Sequence, residues 1–384
     1  MFITMLSKPL PMFLGLLLLL NSLSLTGQHL NSIKTDHIVK TQLDTIVARA
    51  VEDYLSRDNT HSVSIGIYNR GHKITYNYSK DNLPNANNYY NIGSVAKTFA
   101  ATLLAQAVIE KKINLDDDVR KYLTGSYPNL QYNGHGILVK HLANHTSALP
   151  KTFRSLSAKV ADSLSLLSIP KQVDYLANYN RNSLLVDLRK VRPDTIPGTK
   201  FSYNSTAVML LIALLETIYA DSYEHLVSSY LKTHLGMQHT APYLDEAQKR
   251  EVIQGHNNKG QPVPFANLRG FYIGPTMNST INDLLTYMEA NLKLTDKAVE
   301  LTHQLTYGKE DGFGMGLGWM INTDERGVRY FYHDGNTKIG YNTLCVLYPA
   351  DAYGIVIIVN DTIDQRQVGE LENIIRHQFL MHNQ

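Results

Sequence analysis

The sequence predicts an α/β (α+β) fold, in which an antiparallel sheet is flanked by terminal helices and joined to an all-helical lobe. Strand-like runs lie near both ends of the chain, and the middle of the chain is rich in helical patterns. A helix-like segment also precedes the first strand, and another follows the last. Because each sheet face must be covered by another layer, one sheet assembled from both termini and covered by helices is the expected architecture.

The first predicted elements are a helix and a β-hairpin. Residues 36–55 carry apolar side chains at helical spacing, which predicts an amphipathic helix. Residues 62–68 and 73–78 are rich in β-branched and aromatic side chains, and the turn-forming residues 69–72 separate them. This arrangement is typical of two strands joined by a tight turn.

The C-terminal part repeats the strand pattern. We predict strands at 316–321, 328–333, 341–348 and 354–360 and a closing helix at 365–379. The sheet lobe is assigned to about 28–93 and 293–384, and the helical lobe to about 94–292, with the helix-rich insertion itself starting near Leu115. An enzyme cleft is expected between two such lobes.

Composition favours a globular protein with a large core. Hydrophobic residues make up 43% of the 384 residues, and 36 Lys and Arg against 34 Asp and Glu leave a formal charge of +2. No basic run is present, so no nucleic-acid partner is expected. Cys345 is the only cysteine, which excludes an intramolecular disulfide, and its apolar neighbours predict a buried thiol.

Residues 1–27 are predicted to be a secretory signal peptide. Lys8 precedes a short apolar run at 12–20, and more polar, small residues follow up to Gly27. The rival interpretation is an uncleaved anchor spanning 10–25, but that stretch is short for a bilayer and contains Asn21. We therefore expect cleavage before Gln28 and a secreted or periplasmic protein.

The strongest chemical signal is the pair Ser94 and Lys97. Gly93 ends an extended segment, so Ser94 lies in the first turn of the predicted helix. Lys97 follows three residues later and lies on the same helix face. A desolvated amine beside a serine can accept its proton or stabilise its alkoxide, which makes Ser94 a candidate nucleophile. Alone, this spacing more often marks a helix cap followed by a solvated lysine.

Several other segments join this pair in a recognisable order. They are INLDDDV at 113–119, ILVKHLANHTSALP at 137–150, PGTKFSY at 197–203, GLGW at 316–319 and HDG at 333–335. Together they resemble the serine β-lactamase and penicillin-binding-protein superfamily, most closely its class C branch of esterases, D-peptidases and β-lactamases. The resemblance covers roughly residues 62–361 and implies that 28–384 form one β-lactamase/DD-peptidase-like serine hydrolase domain.

The resemblance implies four catalytic residues. Ser94 would be the acylated nucleophile and Lys97 its activating partner. Tyr203 would relay protons as general base and acid, with Lys97 favouring its phenolate. His333 would occupy the place of the lysine in the family's Lys-Thr-Gly strand.

The resemblance also implies the groups that hold the substrate. The backbone N–H groups of Ser94 and Asn336 would form the oxyanion hole, and Gly335 would let the substrate backbone approach the strand. Ser205 would stand where the family usually has the asparagine of Tyr-x-Asn, unless Asn204 takes that place by a local shift. The segment 270–280 resembles a diverged form of the family's small-residue loop and would shape the pocket.

The departures at Ser205 and His333 weaken the expectation of β-lactamase activity. The sequence therefore predicts an exported serine hydrolase that acts through an acyl-enzyme on a D-alanyl peptide or an ester. Two alternatives on the same scaffold are a receptor or sensor with a persistent acyl adduct, and an acyltransferase. The Asn-x-Thr tripeptides at 144–146 and 204–206 fall beside the predicted motifs, where a glycan would obstruct them, and this favours a bacterial periplasm.

No metal or organic cofactor is expected. His135, His141 and His145 raise a metal hypothesis, because the last two are four residues apart, but no glutamate lies between them as a helical zinc-hydrolase pattern requires. The expected partner is a small-molecule or peptide substrate. A monomer is expected, and transient association with a membrane or the cell wall stays open.

Overall fold

The computed structural model describes residues 33–151, 163, 166–167, 171, 178–267, 277–337 and 339–381. The predicted signal peptide at 1–27, and residues 270–276 of the predicted pocket-shaping loop, lie outside these described residues.

The strands of the described residues differ widely in length. In chain order they are β1 (Lys34–Thr35), β2 (Ser62–Asn69), β3 (His72–Ser79), β4 (Tyr90–Asn91), β5 (Gln131–Tyr132), β6 (His135–Gly136), β7 (Gly255–His256), β8 (Pro262–Val263), β9 (Asn278–Ser279), β10 (Tyr307–Gly308), β11 (Gly314–Met315), β12 (Met320–Thr323), β13 (Arg329–Thr337), β14 (Tyr341–Tyr348) and β15 (Tyr353–Val359).

Among the described residues, helices lie near both ends and in the region between the long strands. In chain order they are α1 (Gln42–Leu55), α2 (Ala96–Ile109), α3 (Val139–Ala143), α4 (Arg181–Leu188), α5 (Ser205–Tyr219), α6 (Tyr223–Thr233), α7 (Glu246–Lys249), α8 (Ile281–Lys293), α9 (Lys297–Thr302) and α10 (Gln365–Met381). Short 3₁₀ turns are found at Gly93–Val95, Val119–Tyr122 and Pro349–Asp351.

The central sheet is built from both ends of the chain. Its nine strands are ordered β1-β3-β2-β15-β14-β13-β12-β11-β10, and every neighbouring pair is antiparallel. The predicted hairpin forms with Asn69 opposite His72, and both residues between them have positive φ, 47° at Arg70 and 95° at Gly71. Such a turn matches the twist of the two strands. The predicted fold class is confirmed.

The two faces of the sheet are covered by different parts of the chain. Apolar side chains of α1 and α10 pack on one face, together with alternate residues of β2, β14 and β15. The other face belongs to a larger core that includes α2, α5, α6 and α8. Since α2 lies inside this second core, it is apolar nearly all round rather than along one stripe.

Three predicted elements differ from the structure in their bounds. The first helix begins at Gln42 rather than at residue 36, because Thr41 caps it and the Asp44 carboxylate accepts the Thr41 N–H. Of the predicted strand 316–321, only residues 320 and 321 are in a strand, at the start of β12, because the chain turns at Gly318, where φ is 75°. Conversely, the predicted strand 328–333 continues to Thr337 as β13.

Within the described ranges, no single helix has the length and apolar composition needed to cross a membrane, and α5 with α6 reaches them only as a pair bent by 83°.

Candidate active site

Ser94 lies in the 3₁₀ turn Gly93–Val95, which leads directly into α2. Gly93 has a φ of 53°, a conformation that glycine adopts without steric cost. The turn packs closely on β13, because an ideal Cβ at Gly335 would clash with the Ile92 carbonyl oxygen and lie 3.0 Å from Ser94 N. A side chain at Gly335 would thus meet the turn Gly93–Val95, called the nucleophile turn below, and the approach of a substrate backbone to this strand stays a prediction.

Lys97 is in hydrogen-bond contact with Ser94. Its Nζ lies 2.6 Å from Ser94 Oγ, and the lysine is only 4% exposed. Burial lowers the pKa of Lys97 to about 8, and the charge of Asp334 opposes this only in part. A substantial fraction of the amine is therefore neutral near pH 7–8, so that it can accept the serine proton.

Tyr203 completes this arrangement from the segment before α5. Its phenol hydrogen-bonds with Ser94, and its ring centroid lies 5.2 Å from Lys97 Nζ. Burial raises the pKa of Tyr203 above its ordinary value, more than the hydrogen bond with Ser94 lowers it. The phenol therefore keeps its proton in the free protein, which suits a proton donor better than an initial base.

His333 lies in β13 on the face that meets the nucleophile turn and is fully buried. Its ring centroid is 6.1 Å from that of Tyr203. Burial lowers the pKa of His333 to about 4, and the positive charge of Lys97 acts in the same direction. Its Nδ1 donates to the Asp334 carbonyl oxygen at 2.7 Å, so the neutral ring carries its proton on Nδ1. His333 is therefore no substitute for the fixed charge of a lysine.

The segment of β13 around Gly335 offers a free strand edge. β12 pairs with β13 only as far as Tyr332, so 333–337 have no partner strand on that side among the described residues, and the nucleophile turn contacts this stretch. Asn336 is exposed, and its side-chain amide donates to Asn342 Oδ1 at 2.6 Å. Only its backbone can serve the site, and the oxyanion role of the Ser94 and Asn336 N–H groups stays a prediction.

The structure separates the two candidates for the missing asparagine. Asn204 is buried as the N-cap of α5, where its Oδ1 accepts the Ala207 N–H and its Nδ2 donates to the Leu149 carbonyl oxygen. Its amide is fully engaged and does not take the predicted substrate position. Ser205 is half-buried at the first position of α5, and its hydroxyl is the remaining candidate for that role.

His145 is a site residue whose position the sequence did not predict. Its ring packs against Tyr203 with centroids 4.4 Å apart, and it is 1% exposed. The sequence indicated only a structural stretch or a metal ligand. Only its place beside Asn144 and Thr146 in the family-like segment could have signalled this contact, because a left-handed φ of 59° cannot be seen in the sequence.

The metal hypothesis for the three histidines finds no geometric support. The helix α3 ends at Ala143, so His141 and His145 do not share a helix face. Their Nδ1 atoms accept backbone N–H groups, of Leu138 and Asn204 respectively. Within the described residues, no cluster of three His, Cys, Asp or Glu side chains is arranged to hold a metal ion.

Comparison with known proteins assigns the family. A sequence model of the beta-lactamase family matches residues 47–378. The chain belongs to the beta-lactamase family. The beta-lactamase of Providencia stuartii is 24% identical over 378 residues, covering 87% of this chain and 90% of its own length.

Solved structures of proteins related to the beta-lactamase family share the fold. The beta-lactamase/D-alanine carboxypeptidase of Pseudomonas syringae superimposes with a TM-score of 0.73 at 20% identity, covering 88% of this chain and 99% of its own. The D-alanine carboxypeptidase AmpC of Burkholderia cenocepacia gives 0.71 at 20% identity, with 88% and 99% coverage. The predicted family resemblance is confirmed, and with it membership in a serine hydrolase superfamily.

Proposed function

We propose that this protein is an exported serine hydrolase that forms an acyl-enzyme on Ser94 and releases the acyl group to water. The observation that carries the proposal is the 2.6 Å contact between Ser94 Oγ and the buried Lys97 amine. A lysine whose charge is disfavoured by burial acts as a base near neutral pH, and its contact with a hydroxyl activates a nucleophile. Export rests on the signal-like pattern of residues 1–27.

Acylation follows from the positions of these side chains. Ser94 Oγ forms a bond to the substrate carbonyl carbon as its proton passes to neutral Lys97, and the negative charge on the carbonyl oxygen meets backbone N–H groups of Ser94 and Asn336. When the bond to the leaving group breaks, the Tyr203 phenol donates a proton to it. The tyrosinate then recovers a proton from the Lys97 ammonium, whose Nζ lies 5.2 Å from the Tyr203 ring centroid.

Deacylation reverses this route. A water molecule replaces the leaving group, its proton passes through Tyr203 towards Lys97, and its oxygen bonds to the acyl carbon as the bond to Ser94 Oγ breaks. The serine recovers its proton from Lys97. An alcohol or amine in place of water would give acyl transfer through the same intermediate.

The neutral state of His333 bears on the substrate. A carboxypeptidase substrate ends in a carboxylate, and a buried neutral imidazole offers that group no charge. We therefore place esters, or amides with an uncharged leaving group, ahead of D-alanyl peptides, and β-lactams last. The second candidate, a D-alanine carboxypeptidase, is supported by the names of two structural neighbours.

The test is hydrolysis of a p-nitrophenyl ester by the chain from Gln28 onward, beside its Ser94→Ala variant. The exposed Ser126 supplies a matched control as Ser126→Ala. We expect turnover in the parent and control and none in Ser94→Ala. Equal turnover in all three would refute the assignment of the nucleophile, and no turnover in any would favour the sensor. Parallel assays with a peptide ending in D-alanyl-D-alanine and with a chromogenic cephalosporin rank the substrate classes.

A further inference from the structure

His145 contacts the chain on both sides of Tyr203. Its carbonyl oxygen accepts the N–H of Ser202 at 2.8 Å, and its ring Nδ1 accepts the N–H of Asn204 at 3.3 Å. Between these two hydrogen bonds, its ring packs against the ring of Tyr203 at 4.4 Å with 46° between the planes. One residue therefore fixes the backbone before and after the tyrosine and also contacts the tyrosine ring.

The same hydrogen bonds determine where His145 carries its proton. Because Nδ1 accepts a backbone N–H, the neutral ring must hold its proton on Nε2. That Nε2 is buried and has no hydrogen-bond partner among the residues that the structure describes. The side chain is thus an imidazole with one engaged nitrogen and one free donor, beside the phenol of the site.

The charged and titratable groups around His145 keep it neutral. Lys97 approaches from α2 and His333 from β13, while Tyr203 packs against it. Burial lowers the pKa of His145 well below its ordinary value, and positive charge on Lys97 or His333 lowers it further. A second cation beside Lys97 would also make the ammonium form of that lysine less stable.

We propose that His145 is the positioning residue of Tyr203: in its neutral Nε2–H form it holds the phenol against Ser94 without adding a charge beside Lys97. This proposal rests on the proposed function, because it gives Tyr203 a part in proton transfer. It assigns His145 no contact with the substrate and no proton of its own to transfer. Its effect should appear in the rate of the chemical step rather than in substrate binding.

The kinetic test is His145→Asn. Asparagine tolerates the left-handed backbone at this position, and its Oδ1 can still accept the Asn204 N–H, but the ring beside Tyr203 is lost. We expect kcat for the p-nitrophenyl ester to fall about 10²-fold, the scale of a misplaced catalytic group, with KM within about threefold. The pH profile of kcat should also move, because the environment of Tyr203 has changed.

The matched control is His141→Asn. His141 is also a buried imidazole whose Nδ1 accepts a backbone N–H, but its hydrogen bond is to Leu138, and no ring contact with Tyr203 is seen in the described structure. It should lose stability while keeping kcat and the pH profile. If both variants lose stability alike and both keep the parent kcat and profile, His145 is merely structural and the proposal is overturned.

A measurement on the unaltered chain tests the tautomer of His145 directly. Nitrogen-15 NMR of labelled histidine distinguishes the two neutral tautomers and the imidazolium. We expect one signal, assigned by its absence from His145→Asn, to stay in the Nε2–H form from pH 5 to pH 9. A protonated ring or an Nδ1–H tautomer in that range would contradict the proposal. Loss of the proposed function would show separately, as no ester turnover by the parent chain.

Discussion

Two buried cations lie on opposite faces of the same sheet and differ in their surroundings. Arg376, in α10, is 5% exposed and lies 3.2 Å from Glu325, 3.5 Å from Glu372 and 3.8 Å from Asp324. Lys97, in α2, is 4% exposed, and its hydrogen bond is with an uncharged hydroxyl, that of Ser94. One cation is surrounded by carboxylates, and the other is not.

The pKa values of the two groups move in opposite directions. Burial alone would lower the pKa of Arg376, but the phenol of Tyr348 and the carboxylates of Glu372 and Glu325 raise it. Burial lowers the pKa of Lys97 to about 8, with only the charge of Asp334 opposing. The face covered by the terminal helices thus keeps its charges paired, whereas the nucleophile face holds an amine ready to lose its proton.

The largest effect is expected for Lys97→Met. Because the neutral amine is the base for Ser94, ester turnover should fall about 10³-fold or more. The free energy of unfolding at pH 7 should not fall with it, since the substitution replaces a buried amine without a carboxylate partner by an apolar side chain of similar length. Exposed Lys232→Met is the control for both measurements. Turnover above a tenth of the parent value would mean that Lys97 is not the base.

Arg376→Met should show the opposite combination. Removing the cation leaves the buried Glu372 carboxylate without its ion-pair partner, so the free energy of unfolding should fall by about 3–5 kcal/mol in a urea titration. Ester kcat, measured where the variant is folded, should stay at the parent value. Arg366→Met on the same helix is the matched control, because that side chain is 86% exposed. Its ion pair should contribute less than about 0.5 kcal/mol to the free energy of unfolding. Equal losses from both variants would contradict the comparison.

The pH dependence of acylation follows from the lowered pKa of Lys97. Only the neutral amine accepts the serine proton, so kcat/KM should rise with pH up to about 8 and level off above it. From the plateau to pH 6 we expect a fall of about 10²-fold, with the slope approaching tenfold for each unit below the pKa. His333 and His145 should add no step in that range, because burial keeps both neutral. After subtraction of the Ser94→Ala rate, a flat profile would rule out a titrating lysine.

Sequence patterns were sufficient for the architecture and for the residues of the nucleophile turn. The hairpin at 69–72 and the separation of Ser94 from Lys97 depend on local rules, the turn chemistry and the helical repeat, which a single sequence shows directly. Contacts between distant segments are not visible in this way. Nothing local indicates that Gly335 accommodates the Ile92–Ser94 turn.

The protonation states and hydrogen-bond partners of the site residues could not be predicted from the sequence either. The sequence identified His333 by its motif but could not show that burial makes it neutral. It left Asn204 and Ser205 as alternatives, and only the capping hydrogen bonds of Asn204 separate them. The protonation and hydrogen bonding of a side chain depend on its three-dimensional surroundings, because the groups that desolvate it or bond to it come from segments far apart in the chain.

The smallest effect is expected for Asn336→Ala. This variant tests whether alternate side chains of β13 point to opposite faces of the sheet. Its side chain points away from His333 and bonds to Asn342, so only its backbone N–H can serve the oxyanion. We expect ester kcat within about threefold of the parent, because alanine keeps that N–H. Gly335→Ala is the matched contrast: its Cβ would clash with the Ile92 carbonyl oxygen and displace the nucleophile turn. A loss of kcat above about tenfold in Asn336→Ala would show that the amide side chain itself reaches the reacting carbonyl.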